Sequence, residues 1–278
     1  MIQSKIKTSP DTDRSGSVWD YVSVSRLNLW IRCPLAFKLR YLDGIRTPTS
    51  PALFLGQRVH HGLEIWYRHR QLGIPIDHED LAEQMLAAWD QAVAEEGIQF
   101  ASSADEQSLR DQAIGLIAAY LGVLDENEPP PLAVETCLES PLVDPTTGED
   151  LGIKLLGIVD LVLPGQTAPV IIDFKTASKS AAPIMTAHEI QLAAYAYLFR
   201  SVTGERESEL QIRSLIKTKT PKIATHKYES RCDAHFRRLF AVIREYLDAL
   251  GRGVFNYRPS WSCGSCDFRD KHCQQWSG

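Results

Sequence analysis

The segment Val170–Ser178, VIIDFKTAS, constrains the fold of this chain more than any other stretch. Three apolar residues run directly into an acid, an aromatic residue, a lysine and a threonine, the pattern of a buried strand that ends at a polar site. Side chains alternate across a strand, so Asp173 and Lys175 share one face while Phe174 points into the opposite layer. An acid and a base at the mouth of an apolar strand are costly to bury unless they serve each other or a third group such as a metal. The partners must come from elsewhere in the chain.

Upstream, residues 1–22 are polar, carry Pro10 and Gly16, and are expected to form a flexible N-terminal arm. From Ser25 to Tyr41 apolar residues recur at helical spacing, and Pro34 predicts two short helices or a kink with Cys33 at the joint. A helix is predicted from near Leu53 to Gly73, followed by helical stretches at about 78–96 and 105–124. These later stretches fall in a helical insertion, 77–131, that ends at the helix-breaking run DENEPPP. The period then changes. Residues 132–143, 150–163 and 170–178 read as strands joined by DPTTGED and PGQTAP, an antiparallel meander. A helix at about 186–200, strands in LQIRSLIKTK and IATHKYES, and a long amphipathic helix at about 232–250 complete the pattern. Strands mixed with helices predict an α/β fold, with residues 23–278 as one domain.

The chain has 278 residues, 44% of them apolar and 23% charged, enough to bury one large core. It opens without an apolar leader and contains no run able to span a bilayer, which predicts a cytoplasmic protein with no membrane partner. A formal net charge of −5 gives no global attraction to nucleic acid. Any such binding must use a local surface, and Arg213, Lys217, Lys219, Lys222, Lys227 and Arg231 cluster in one segment against a single acid, Glu229.

Asp160 precedes Asp173 by a span that holds the end of one strand, a turn and the next strand. An antiparallel pair can place both carboxylates on one sheet edge, where they repel unless a divalent cation joins them. Oxygen ligands suit Mg²⁺ or Mn²⁺. Gly157, in the same strand, permits close approach of another element. His60 lies on the predicted third helix, four residues after Gly56, and His61 falls about 100° around that helix. Gln191 and Tyr195, four apart, share one helix face.

Gly56 with His60, Gly157 with Asp160, Asp173-Phe174-Lys175, and Gln191 with Tyr195 occur in the order and approximate spacing of the RecB-like branch of the PD-(D/E)xK nuclease superfamily, which the chain resembles from residue 26 to residue 273. Val159 stands where the proline of the superfamily's name would precede the first acid. The resemblance implies a restriction-endonuclease-like core, a mixed central β-sheet flanked by helices, with an N-terminal helical layer. It implies that His60, Asp160, Asp173 and the Phe174 carbonyl hold Mg²⁺ or Mn²⁺, that Lys175 positions the attacking water and stabilises charge on the phosphate, and that Gln191 and Tyr195 orient Lys175 or the DNA strand. Glu135 or Glu139, on the preceding strand, is a candidate accessory ligand.

Six cysteines without a secretion signal do not suggest a disulfide framework. Cys263, Cys266 and Cys273 form C-x2-C-x6-C in a terminal segment that needs a staple, and Cys33 is the candidate fourth thiolate. The same resemblance pairs an early Cys-Pro with three terminal cysteines around a 4Fe-4S cluster, as in CRISPR-associated RecB-like exonucleases and AddB-type nucleases. Residues 257–278 with Cys33 would then form an iron–sulfur subdomain joining both termini. Zinc would accept the same four thiolates. Cys137 and Cys232 read as buried hydrophobes, and Trp30, Trp261 and Trp276 either pack the terminal subdomain, the favoured reading, or stack on unpaired bases.

These expectations describe a metal-dependent DNA nuclease, an exonuclease on single-stranded ends in recombination, repair or CRISPR adaptation. The chain carries no helicase motif, so the nuclease is expected either to be free-standing or to receive unwound DNA from a helicase, CRISPR or recombination partner. The alternative is a catalytically silent DNA-end-binding module of the same fold.

Overall fold

Pro34 divides the first helical stretch as its missing N–H requires. In the computed structural model, which describes residues 17–178 and 185–273 apart from the side chains of 185–187, α1 spans Val24–Arg32 and α2 spans Pro34–Tyr41. Pro34 sits at the first position of α2, where no intrahelical donor is lost. Helix α3, Pro51–Leu72, is capped by the Ser50 hydroxyl accepting from the Leu53 N–H and closed by Gly73 in the left-handed conformation, φ 68°. The stretch expected as one helix at 78–96 is two, α4 (His78–Ala87) and α5 (Trp89–Glu96). The break at Ala88 accompanies Trp89, whose ring is fully buried edge-on to Phe54 at 5.0 Å. Helix α6, Ser103–Leu121, completes this group.

The sheet has six strands: β1 (Tyr21–Ser23), β2 (Ala133–Val143), β3 (Asp150–Leu163), β4 (Val170–Ala177), β5 (Glu209–Ile216) and β6 (Lys222–Glu229). Helix α7, Met185–Thr203, links β4 to β5, and α8, Asp233–Arg252, follows β6. The β2–β3–β4 meander is antiparallel as expected, β5 joins β4 in parallel, and β6 pairs antiparallel with β5. Strand β1 was not legible as a strand. It pairs in parallel with Lys154–Leu156 of β3, and Val18 and Val22 are buried in the core, so the packed chain begins before the expected boundary at residue 22. The remainder of the expected arm, residues 1–16, lies outside the described residues.

Helices α3 to α6 cover one face of the sheet, where Phe54, Leu63, Trp89 and Leu116 pack with Leu161, Ile172 and Phe174. Helices α1, α2, α7 and α8 cover the other, where Leu27, Phe37, Leu198 and Phe240 pack with Val159, Val162 and Ile171. The N-terminal helices are thus shared between both faces rather than forming one layer. Among the described residues no helix is long and apolar enough to cross a membrane.

One irregularity positions everything that follows. Strand β2 occupies one side of β3 along nearly its whole length. On the other side β1 takes only Lys154–Leu156 and β4 only Leu161–Leu163, so among the described residues no strand pairs with Gly157–Asp160 on that side. The β3–β4 ladder stops at Leu161↔Ile172, one residue short of placing Asp160 directly opposite Asp173. The sheet opens at those two acids.

Candidate active site

The opening forms a cleft of about 470 Å³ whose lining includes His60, Glu135, Asp160, Asp173, Lys175 and Gln191. Its floor is Gly157, where a Cβ would lie 2.8 Å from Leu198 Cδ1 and 3.1 Å from Val24 Cγ2. A side chain there would force Leu198 of α7 and Val24 of α1 to shift, so the glycine serves helix packing. Gly56 acts in the same way on the opposite face, where a Cβ would meet Thr176 Oγ1 at 2.9 Å. The lost side chain lets α3 close on β4 and brings His60 to the cleft.

The acids are held by different means. Where the β3–β4 ladder ends, the Phe174 N–H donates instead to Asp160 Oδ2 at 2.7 Å. Lys175 Nζ donates to Asp173 Oδ1 at 2.9 Å and lies 2.7 Å from Oδ2. Gln191 Nε2 donates to the same Asp173 Oδ1 and to the Tyr195 hydroxyl, both at 2.9 Å. Gln191 thus contacts Asp173 directly, and Tyr195 contacts Gln191. Asp173 is 1% exposed, so its carboxylate is held in the interior by Lys175 and Gln191.

His60 Nδ1 lies 3.6 Å from Glu135 Oε1 and 3.7 Å from Asp160 Oδ1. The ligating atoms of His60, Glu135 and Asp160 all fall within 4.8 Å of one another, the only such group among the described residues. Glu135 has φ 41°, a left-handed backbone in a strand, at a cost of order 1–3 kcal/mol. The inward phase of both strands inverts at this point. Leu138 and Leu142 of β2 face α7 but Val134 faces α3, and Leu155 and Val159 of β3 face α7 but Leu161 and Leu163 face α3. The strained Glu135 lies at this inversion. Glu139, the other candidate accessory ligand, pairs with Lys154 at 2.7 Å on the surface.

The electrostatics are those of crowded acids. Burial pushes Asp160 up to about 7, with Asp173 and Glu135 adding to the effect. Burial opposes charge on His60, but Asp160 and Glu135 outweigh it and hold the imidazolium to about 9. Burial likewise works against the Lys175 ammonium, and Asp173 and Asp160 reverse it, raising its pKa. Burial and Asp173 keep the Tyr195 phenol protonated. His188, one turn before Gln191, was not singled out in the sequence. Burial and the nearby Lys175 lower its pKa and keep it neutral.

The sequence model of the PD-(D/E)XK nuclease superfamily matches residues 21–274. The chain belongs to that superfamily. PD-(D/E)XK nucleases use divalent metals, and His60, Glu135 and Asp160 could hold one. In fold this PD-(D/E)XK chain is similar to the crystal structure of a candidate exonuclease from Eubacterium rectale, with a TM-score of 0.60 and 17% identity covering 94% of this chain and 92% of that one. A second solved structure, SSO0001, aligns with a TM-score of 0.38 and 15% identity over 77% of this chain and 95% of that one. Comparison with curated proteins finds no match.

Phe174 lies beneath the PD-(D/E)XK site, its ring stacked on Tyr67 at 6.0 Å and edge-on to Tyr120 at 5.6 Å and to His60 at 6.3 Å. The basic segment 213–231 is only partly a surface. Arg213 pairs with Glu128 at 2.7 Å with 11% of its side chain exposed, and Arg231 is 2% exposed, which removes both from the expected phosphate-binding set. Lys219, Lys222 and Lys227 are exposed.

Cys33, Cys263, Cys266 and Cys273 line one small cavity of about 40 Å³, with Arg32, Arg258 and Arg269 also on its wall. The terminal segment docks through buried Phe268, an Arg40–Asp267 pair at 3.2 Å, and the Arg258 guanidinium donating to the Ile31 carbonyl. Trp30 packs as expected, edge-on to Tyr246 at 5.7 Å. Trp261 does not pack: it is 90% exposed. Trp276 lies outside the described residues. Cys232, expected to be buried, is exposed at the N-cap of α8, with Sγ 3.2 Å from His235 Nδ1.

Proposed function

We propose that the chain is a divalent-metal-dependent deoxyribonuclease that hydrolyses phosphodiester bonds as an exonuclease on single-stranded DNA ends. The observation that carries this reading is the His60–Glu135–Asp160 group set beside the Asp173–Lys175 pair where the sheet opens. The E. rectale protein of similar fold is described as a candidate exonuclease, which supports the choice of exonuclease. The donor set fits a cation. Two carboxylates and one imidazole suit Mn²⁺ better than Mg²⁺, and the neighbouring Asp173 carboxylate, paired with Lys175, is the further oxygen ligand we assign. A cation bound there lowers the pKa of a ligated water and polarises the phosphoryl oxygen. Lys175 holds a positive charge beside the phosphate where negative charge builds in the transition state. Gln191 fixes the Asp173 carboxylate, and the Phe174 N–H fixes Asp160. End-labelled single- and double-stranded DNA incubated with Mn²⁺ or Mg²⁺ tests the proposal. Binding without cleavage under either metal would instead favour a DNA-end-binding module.

Metal uptake should depend on pH. His60 and Asp160 hold protons to about 9 and about 7, and a cation must displace them. Affinity for Mn²⁺ is therefore expected to rise with pH between those values, about tenfold per unit for each proton released. Calorimetric titration in buffers of differing ionisation enthalpy counts those protons. A flat affinity would exclude both groups as ligands.

The four cysteines fit a 4Fe-4S cluster better than zinc. Zinc gathers four sulfurs around one atom at about 2.3 Å each, hence within about 3.8 Å of one another. No three cysteine sulfurs among the described residues lie within 4.8 Å of one another. A cluster takes each thiolate on a different iron and accepts the wider spacing, and the arginines at the cavity complement its negative charge. Anaerobic purification is expected to yield brown protein with iron and sulfide in equal amounts, whereas colourless protein with stoichiometric zinc would reverse the assignment. A helicase, recombination or CRISPR-adaptation protein would supply the single-stranded end.

A further inference from the structure

The cleft has a second wall that the hydrolytic chemistry does not use. Besides the acids, the cleft is lined by Tyr21, Ser23, Ser25, Arg26, Asn28 and Tyr41, from β1, α1 and α2. Arg26 organises this wall. Its guanidinium lies 4.0 Å from the Tyr21 ring centroid and 5.3 Å from that of Tyr41, and its Nη1 donates to the Tyr21 carbonyl at 2.9 Å and the Ser17 carbonyl at 3.2 Å. Arg26 is 5% exposed, while Tyr21 and Tyr41 are half-buried. Tyr41 is backed by the fully buried Phe37, ring to ring at 5.3 Å. Two aromatic rings are thus held in place at the cleft by a buried cation, with little side-chain freedom left to lose on binding.

Hydrolysis of a phosphodiester needs contacts to phosphate alone, and those come from the acids and Lys175. We propose that Tyr21 and Tyr41, fixed by Arg26, form a stacking platform for an unpaired nucleobase next to the scissile phosphate. This rests on the nuclease reading of the site and supplies its preference for single strands. Every base has a π-face, so a platform of this kind accepts any sequence. A base in a duplex reaches it only by leaving its stack, which costs a few kcal/mol that a single strand does not spend. The cleft's volume, about 470 Å³, lies in the range of pockets for small ligands, room for a splayed nucleotide but not for a stacked duplex. Arg26, although 5% exposed, lines the same cleft as Lys175 and adds a second cation to it.

The test compares a fluorescent oligothymidylate with an abasic oligomer of the same length, by anisotropy with Ca²⁺ in place of Mn²⁺. Tyr21→Leu and Tyr41→Leu are each expected to weaken oligothymidylate binding about tenfold and to move abasic binding by less than about twofold. Tyr21→Phe and Tyr41→Phe, which keep the ring, should bind oligothymidylate as the wild type does. Equal losses on both oligomers, unchanged binding in the leucine variants, or losses in the phenylalanine variants would each overturn the platform. The two readings separate in the wild type. Base-dependent binding without DNA cleavage under Mn²⁺ would sink the nuclease and leave the platform, and cleavage without base-dependent binding would do the reverse.

Discussion

Lys175→Ala is expected to lower metal-dependent DNA cleavage by about a hundredfold or more, the usual effect of removing one preorganised electrostatic contact to a transition state. The variant should also lose about 1–3 kcal/mol of stability, because Asp173 is 1% exposed and would keep only Gln191 as a donor. Cleavage must therefore be measured below the variant's own melting temperature. Mn²⁺ binding should persist, since His60, Glu135 and Asp160 are untouched. Asp160→Asn provides the contrast. It should abolish cleavage just as fully yet raise the stability of the metal-free protein by about 1 kcal/mol, or roughly 2–4 °C in Tm. The amide oxygen can still accept from the Phe174 N–H, and a buried carboxyl crowded by Asp173 and Glu135 is gone. Opposite shifts in Tm with a common loss of activity would mark both residues as working parts of the site. Cleavage by Lys175→Ala within a few-fold of wild type would remove that residue from the reaction.

The parts of this site that were legible in the sequence are those set by local geometry. Alternation along a strand places Asp173 and Lys175 together, and a four-residue helical spacing places Gln191 with Tyr195. The turns DPTTGED and PGQTAP punctuate strands whose apolar content already marks them, so the β2–β3–β4 meander follows from local signals. What could not be read depends on distant parts of the chain. The choice of Glu135 over Glu139 rests on a phase inversion shared by β2 and β3, which has no local signature because glutamate rarely adopts positive φ. Strand β1 is three residues long and is a strand only because β3 offers it an edge. Arg213 and Arg231 look like surface charges beside their lysine neighbours, and only the folded chain brings Glu128 to Arg213 and buries Arg231.

That Arg213–Glu128 pair carries the largest expected effect on stability. The Arg213 Nη1 donates to the Tyr120 hydroxyl at 2.6 Å and the Tyr67 hydroxyl at 3.2 Å, and Tyr67 donates to Glu128 Oε1 at 2.7 Å. Burial opposes the guanidinium's charge, but Tyr120, Tyr67 and Glu128 hold it firmly protonated. Arg213→Met would leave the Glu128 carboxylate, 8% exposed, without its cation. A loss of about 3–5 kcal/mol is expected, seen in urea or thermal denaturation as a fall of roughly 10 °C. Adding Glu128→Gln should recover most of it, since the buried charge is then absent on both sides, and a double-mutant cycle measures the coupling. The same substitution should reach the active site. Tyr67 and Tyr120 both pack on Phe174, the residue between Asp173 and Lys175, and Tyr67 lies two turns along α3 from His60. Cleavage by the fully folded Arg213→Met protein should therefore drop further than its stability explains, and the double variant should restore both together. Recovery of stability without recovery of activity would show that the network supports the fold without positioning the site.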